Sequence, residues 1–439
     1  MWKSLMLAVL VIAAPGEGSA RRRVCVVGTG PAGLTAIKFL AEYSHEFECV
    51  AFEKNSDVGG MWIYTDSTTV DEHGLPVHSS AYKYLRVNVP KELLAFPDYP
   101  SFGGENVSFV KHSDMLQYLR NYTEYYELRP YIQFNTNVEK ILPLPKLKWL
   151  IKARDLNTKQ LNEVTCDAVM LATGHFVKGS IPKIRGIESF AGRTLHSHLY
   201  RRPQDFANET VLVLGASYSG QEIATQVSRY AKKIYLSHRH DRLKTKLLWN
   251  IEQVPAAMGA DGDKLILNGG RRLKVDVLVY ATGFLFDFPF LDESSGIKVV
   301  GKQIRYVYKH LINVARPTMA ILNVPYPRLA ILESHAQSAY FIAVLRGKLK
   351  LPSRKAMLKS AALPAGKRNR DAHLVNKEIF LYYNHLASAA GYETLPAWFM
   401  AASNENTKRI FADPLHFRQY NLVLHKYGGF EFVRHNQNL

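Results

Sequence analysis

The sequence predicts an α/β fold made of two Rossmann-like dinucleotide-binding domains, the second inserted into the first, and three observations carry that prediction. First, the apolar run Val24-Cys25-Val26-Val27 breaks into Gly28-Thr29-Gly30-Pro31-Ala32-Gly33 and then into helix-forming sequence from Leu34 to Tyr43. Second, the pattern recurs, with Val211-Leu212-Val213-Leu214 running into Gly215-Ala216-Ser217-Tyr218-Ser219-Gly220 and a further helical stretch, Gln221 to Tyr230. Third, each unit ends in an apolar strand closed by the same tripeptide, Ala172-Thr173-Gly174 and Ala281-Thr282-Gly283. A buried parallel strand that turns tightly into a helix points free N–H groups at an incoming pyrophosphate. One such turn is a weak signal. Two, each closed by Ala-Thr-Gly, imply two dinucleotide sites.

In the first turn, Gly28 permits the bend, Gly30 lets phosphates approach the backbone, and Gly33 lets helix and strand pack closely. The next apolar run, Cys49-Val50-Ala51-Phe52, ends at Glu53, twenty residues beyond Gly33. An acid there can take ribose hydroxyls, so the first site reads as one for FAD, whose adenosine ribose is unphosphorylated. Gly59 and Gly60 then bring backbone close to a planar ligand that Trp62 can cover. In the second unit Gly215, Ser217, Ser219 and Gly220 form the phosphate turn. No carboxylate closes its second strand; Arg239 stands there, with Arg242, Lys244 and Lys246 nearby. A guanidinium suits a ribose 2′-phosphate, so the second site reads as one for NADPH.

Composition bounds the rest. A chain of 439 residues, 47% hydrophobic and without low-complexity segments, can bury a substantial core. The net charge of +18 favours anionic ligands such as phosphorylated nucleotides. Its basic residues are spread along the chain rather than set in an aromatic-studded stripe, which argues against nucleic-acid binding. The first twenty residues have the pattern of a secretory signal peptide: Lys3, an apolar stretch from Leu5 to Ala14, and small residues at Gly18-Ser19-Ala20. No later stretch reaches eighteen apolar residues, so no membrane span is expected. Sequons at Asn106, Asn121 and Asn208 agree with a secretory route. The expected location is extracellular, with the endoplasmic reticulum lumen as the alternative. The three cysteines, Cys25, Cys49 and Cys166, sit in apolar runs without a C-x-x-C pair, which argues against a metal site or a redox dithiol. Cys25 and Cys49 fall on strands expected to be neighbours, leaving a disulfide between them open.

These features divide the chain into a signal peptide (1–20), a first part of the FAD domain (21–200), an NADPH domain (201–284), and a second part of the FAD domain with C-terminal helices (285–439). Within the first part a helix is expected from Ser113, its N-cap, through Tyr126. Alternating runs at Ile132–Val138 and Trp149–Arg154, followed by the strand ending at Gly174, read as an antiparallel meander returning to the central sheet.

Between the two units lies Phe190-Ala-Gly192-Arg-Thr-Leu-His196-Ser-His-Leu-Tyr200. Phe-x-Gly-x-x-x-His-x-x-x-Tyr, with the two glycine turns, the Gly-Gly-x-Trp and both Ala-Thr-Gly strands, resembles the flavin-containing monooxygenases over essentially the whole mature chain. Tyr200 in place of Trp is similar to the N- and S-oxygenating branch rather than the Baeyer–Villiger branch. The segment Leu85-Arg86-Val87-Asn88-Val89-Pro90-Lys91 matches the family's active-site asparagine motif, which makes Asn88 the candidate catalytic residue. Ala216 departs from the glycine that the family often has in the second turn. A short chain with a leader resembles the insect branch, which includes pyrrolizidine-alkaloid (senecionine) N-oxygenases. The resemblance implies NADPH reduction of FAD, addition of O₂, and oxygen transfer from a C4a-hydroperoxyflavin to a tertiary amine or a sulfide. On this reading the cofactor carries the hard step, and His196 orders the linker between domains rather than acting as a base. Alternatives are a general N/S-oxygenase, a Baeyer–Villiger enzyme, and a flavin-binding protein without turnover; a homo-oligomer is compatible with each.

Overall fold

The computed structural model describes residues 20–435 apart from 101, 104–105, 240–241, 327–328, 363–371, 374–377 and 426–427. The expected signal peptide, save Ala20, lies outside these residues. Strand β1 (Arg22–Val27) leads through the first glycine turn into helix α1 (Pro31–Glu42) and on to β2 (Phe47–Phe52). Proline is favoured at a helix's first position because its missing N–H would be unpaired there anyway, and Pro31 starts α1. β1 pairs in parallel with β2 on one side and with β7 (Ala168–Leu171) on the other. The sheet extends through β3 (Ile132–Gln133) beyond β2 and through Met319–Ile321, Ile312–Asn313 and Val307–Tyr308 beyond β7.

The second unit repeats this plan with a five-stranded parallel sheet. Its centre is β9 (Thr210–Leu214), flanked by β10 (Lys233–His238) and β12 (Val277–Tyr280), with β11 (Ile251–Pro255) beyond β10. Helix α3 (Tyr218–Val227) follows its glycine turn. The other edge is β8 (Arg193–His196), which pairs with β12. That strand lies ahead of residue 201, so the second sheet begins earlier than the expected domain boundary. The stretch is half exposed and carries no continuous apolar run, so it gave no strand signal.

The expected meander is instead a separate sheet of β4 (Thr136–Pro143), β5 (Trp149–Asp155) and β6 (Leu161–Cys166). The run at Ile132–Val138 splits, because Ile132 joins the parallel sheet and Thr136 starts the antiparallel one. Helix α2 spans His112–Tyr125 with Lys111 rather than Ser113 as its N-cap; Asp114 accepts from the Lys111 N–H at 3.1 Å and closes the first turn from inside.

Cys25 pairs with Cys166, not Cys49. Cys25 lies opposite Val50 and Cys49 opposite Val24, one residue out of register, so their side chains leave the sheet on opposite faces. The Cys25–Cys166 bond staples β1, an interior strand of the first sheet, to the end of β6, with both cysteines fully buried. Among the described residues no helix is long and apolar enough to cross a membrane.

Candidate functional site

Both glycine turns open on one cavity of about 2080 Å³. A site for one drug-sized ligand spans roughly 300–1,000 Å³, so this space suits more than one large cofactor.

The two turns have the same physical construction. Gly28 has φ +94°, and a Cβ there would lie 2.8 Å from the Ala172 carbonyl oxygen. Gly215 has φ +115°, and its Cβ would lie 2.3 Å from the Ala281 carbonyl oxygen. The first residue of each Ala-Thr-Gly also packs by its side chain, the Ala172 and Ala281 Cβ atoms lying 3.5 Å and 3.4 Å from where a Cβ on Gly33 and Gly220 would stand, so a small residue fits there. Gly33 and Gly220 sit beneath the turns: a Cβ on either would come within 1.9 Å and 1.8 Å of the Gly28 and Gly215 carbonyl oxygens. These two glycines, expected to bind cofactor, therefore do not line the cavity but let helix and strand meet. Gly28, Gly30, Glu53, Gly60, Trp62, Gly215, Ser217, Ser219 and Arg239 line it, while Gly59 does not. Neither α1 nor α3 has a side chain capping its first turn, which leaves helix N–H groups available to phosphate oxygens.

Glu53 directly follows β2, buried, with a role beyond the one expected. Its Oε2 accepts from the Thr29 N–H at 2.8 Å and the Thr29 hydroxyl at 2.9 Å; its Oε1 accepts from the Asn55 N–H at 2.9 Å and Nδ2 at 2.8 Å. Four donors occupy the four lone-pair sites of a carboxylate. Glu53 thus holds the glycine turn in shape, and a ribose hydroxyl would bind by displacing the Thr29 hydroxyl or the Asn55 amide. Gly59 donates to the Thr29 carbonyl at 3.1 Å, which lays the Gly59–Gly60 pair directly on the first turn.

In the second cradle Arg239 follows β10, exposed at the cavity edge. Arg242, Lys244 and Lys246 line a separate shallow depression instead, and Lys246 pairs with Asp413 at 2.9 Å. Of the four cations expected near the 2′-phosphate, Arg239 alone borders the cavity.

Asn88 lines the cavity, half buried, on an irregular segment between the two cradles. His196 Nε2 bonds the Gly283 carbonyl at 2.9 Å while its Nδ1 accepts from the His198 N–H at 3.1 Å. Burial lowers its pKa to about 4, which keeps it neutral at physiological pH. Nε2 joins β8 to the second Ala-Thr-Gly and Nδ1 caps the turn that follows β8, so both ring nitrogens are engaged as in a positioning group. Tyr200 is fully buried and donates to Gln226 at 2.9 Å, and the neighbouring Arg201 places its donors on the carbonyls of Thr65, Ser67, Ser79, His198 and Tyr200. The fingerprint segment is therefore the joint between the two domains.

Sequence reasoning missed part of the lining. Helix α5 (Ala397–Ala412) contributes Ser403, Asn406, Ile410 and Phe411, while α4 (Ala330–Leu345) contributes Ala330 and Ile331. No local motif marks these residues. His175 and Phe176 also line the cavity and directly follow the first Ala-Thr-Gly, a position that could have drawn notice.

Two phosphate cradles on one cavity, without a dithiol between them, define a two-nucleotide oxidoreductase whose chemistry resides in bound cofactors. The family described as FMO-like (flavin-binding monooxygenase-like) matches residues 21–252 and 260–427, and the chain belongs to it. It is a flavin-dependent monooxygenase, of a family that uses FAD and NADPH. The chain is 30% identical to flavin-containing monooxygenase FMO GS-OX-like 3 of Arabidopsis thaliana, covering 90% of this chain and 93% of the relative. It is 29% identical to senecionine N-oxygenase of Tyria jacobaeae, covering 95% and 93%. Plant and insect relatives align about equally well, so identity does not set the chain in the insect branch. Among solved structures, S-allyl-L-cysteine S-oxygenase from Allium sativum superposes with a TM-score of 0.85 at 27% identity, over 91% of this chain and 95% of that one. Tmm from Pelagibacter sp. strain HTCC7211 gives 0.84 at 27%, over 94% and 97%.

Proposed function

We propose that this enzyme oxygenates the nitrogen of lipophilic tertiary amines or the sulfur of sulfides, with FAD in the first cradle and NADPH in the second. The observation that carries this reading is the convergence of two differently finished cradles on one cavity, an acid closing the first and Arg239 the second. FAD, when bound and reduced, supplies the oxygen activation. The chain's own part is to bind, orient and exclude water. The bare turns at Gly28–Gly30 and Gly215–Ser217 bring backbone to the two pyrophosphates, and Trp62 covers the first cradle. Asn88 presents an amide, both donor and acceptor, to the cavity between them. Phe176, Phe284 and Phe290 give part of the wall an apolar surface suited to a lipophilic substrate and unfavourable to water.

On the finer substrate, the reading is a pyrrolizidine alkaloid such as senecionine, supported by the 29% identity to the Tyria jacobaeae N-oxygenase and consistent with detoxification. A panel of tertiary amines, sulfides and ketones, including pyrrolizidine alkaloids, incubated with NADPH and read by mass spectrometry, tests it. Oxygenated amines or sulfides are expected; esters from ketones with amines untouched would favour a Baeyer–Villiger enzyme, and flavin without turnover a binding protein.

Arg239 gives a sharper test of the second cradle. A charge-assisted contact is worth about 1.5–3 kcal/mol, so Arg239→Gln is expected to raise KM for NADPH roughly 10–100-fold. At saturation kcat should change little, and the preference for NADPH over NADH should shrink. An unaltered preference would place the 2′-phosphate elsewhere.

We also assign the protein to the secretory route. A buried disulfide suits maturation in an oxidising compartment. Asn106, Asn121 and Asn208 are all exposed, as glycan acceptors must be.

A further inference from the structure

The segment carrying Asn88 is held from an unexpected direction. Three successive backbone carbonyls, those of Arg86, Val87 and Asn88, each accept a hydrogen bond from a side chain more than three hundred residues away. Arg418 donates through Nη2 to the Arg86 oxygen at 3.3 Å and through Nε to the Val87 oxygen at 3.1 Å. Asn406, on α5, donates through Nδ2 to the Asn88 oxygen at 2.9 Å. On the other edge of the segment the Val87 N–H donates to the Val110 carbonyl at 3.0 Å.

Beyond the single antiparallel bridge between Arg86 and Lys111 this irregular backbone has no ladder to fix its φ and ψ, and the direction of a side chain follows from them. Here the C-terminal donors take that place. Asn406 is 3% exposed, so water cannot readily substitute for its amide. Arg418 has a further partner, Glu222 Oε2 at 2.9 Å, and both side chains are largely buried. Glu222 lies on α3, the helix that rises from the second glycine turn, and itself lines the cavity. One guanidinium therefore ties the Asn88 segment to the helix of the second cradle.

We propose that Asn406 and Arg418 are positioning residues for oxygenation, fixing the Arg86–Asn88 backbone so that Asn88 meets bound cofactor and substrate in one orientation. The proposal rests on the reading of Asn88 as an active-site residue. It gives the C-terminal segment a part in the reaction rather than in folding alone.

The test separates electron entry from oxygen delivery. Productive turnover consumes one NADPH and one O₂ per oxygenated product, with the second oxygen atom leaving as water. Unproductive turnover transfers the same two electrons to O₂ and, with two protons, releases hydrogen peroxide. Asn406→Asp keeps the shape but removes the donor to the Asn88 carbonyl, and Arg418→Lys keeps the charge beside Glu222 but loses the fork. With N,N-dimethylaniline as the probe, turnover is measured per bound flavin.

Flavin reduction by NADPH is expected to stay within about twofold of wild type in both variants. Oxygenated product per NADPH should fall at least ~5-fold with a matching rise in peroxide, while Asn406→Gln recovers part of the coupling. Arg409→Gln, which removes the pair with Glu405 and the guanidinium contacts with the Tyr420 and Phe432 rings but no bond to the Arg86–Asn88 segment, should remain coupled. Wild-type coupling in both Asn406→Asp and Arg418→Lys would overturn the proposal. So would a loss of product that merely tracks lost flavin or that Arg409→Gln reproduces. Asn88→Ala, run in parallel, keeps the two failures apart. If it too stays coupled, the reading of Asn88 falls; if it alone uncouples, only the role of the C-terminal segment does.

Discussion

Gly33→Ala is expected to give a protein that retains no flavin, whereas Gly220→Ala gives a yellow protein that NADPH reduces far more slowly. In both cases the added methyl would meet a backbone oxygen, at 1.9 Å from Gly28 and 1.8 Å from Gly215. Neither oxygen can rotate away as a side-chain end would. Overpacking of an interior usually costs about 1–3 kcal/mol, and here the cost is relieved only by opening the turn that cradles the pyrophosphate. The first turn leaves an interior strand of the larger sheet, so loss of flavin binding there should come with lowered stability. The second lies in a sheet with its own buried cluster around Val211, Val213 and Val279, so the flavin domain should survive. Anaerobic mixing with NADPH, followed by flavin absorbance, should show reduction slowed on the order of 100-fold in Gly220→Ala, a barrier increase of about 2.7 kcal/mol. Normal reduction in that variant would remove the second turn from the nicotinamide site.

Removal of the Cys25–Cys166 bond is the second large effect. It closes a separation of 141 residues. In the chain-entropy description a loop of this size contributes about 5 kcal/mol, and native disulfides measure ~2–5 kcal/mol on removal. Cys166→Ala should lower the denaturant midpoint by an amount in that range, and so should expression in a reducing cytosol. Cys49→Ala should do much less, because Cys49 is a free, buried thiol acting as a small apolar side chain. Equal stability of wild type and Cys166→Ala would show that the bond carries no weight and would weaken the assignment to an oxidising compartment.

The parts of the fold readable in the sequence were those whose physics is local. A glycine turn needs Gly28 and Gly33 at fixed offsets, and a strand buried on both faces needs a run such as Val211–Leu214, so both cradles were visible. The match between the two Ala-Thr-Gly ends also reflects a local need, a small residue against the turn. Partnerships formed by register or by distant chain were not visible. Cys25 and Cys49 do lie on adjacent strands, yet a one-residue offset sends them to opposite faces. The donor to the Asn88 carbonyl stands at position 406 within a helix whose sequence carries no motif. Lys246 looked like part of a phosphate cluster but is taken by Asp413, an acid far along the chain. Strand β8 escaped notice because an edge strand with one buried residue has no alternation to read.

The central claim is that the two cradles serve one oxygenation at a shared cavity, and labelled dioxygen tests it most directly. Purified enzyme should be incubated with NADPH, a tertiary amine or sulfide substrate, and ¹⁸O₂ in unlabelled water. One ¹⁸O atom is expected in each product molecule, on nitrogen or sulfur, with NADPH consumed in equal amount. Product oxygen drawn from water, or product formed without NADPH, would contradict it.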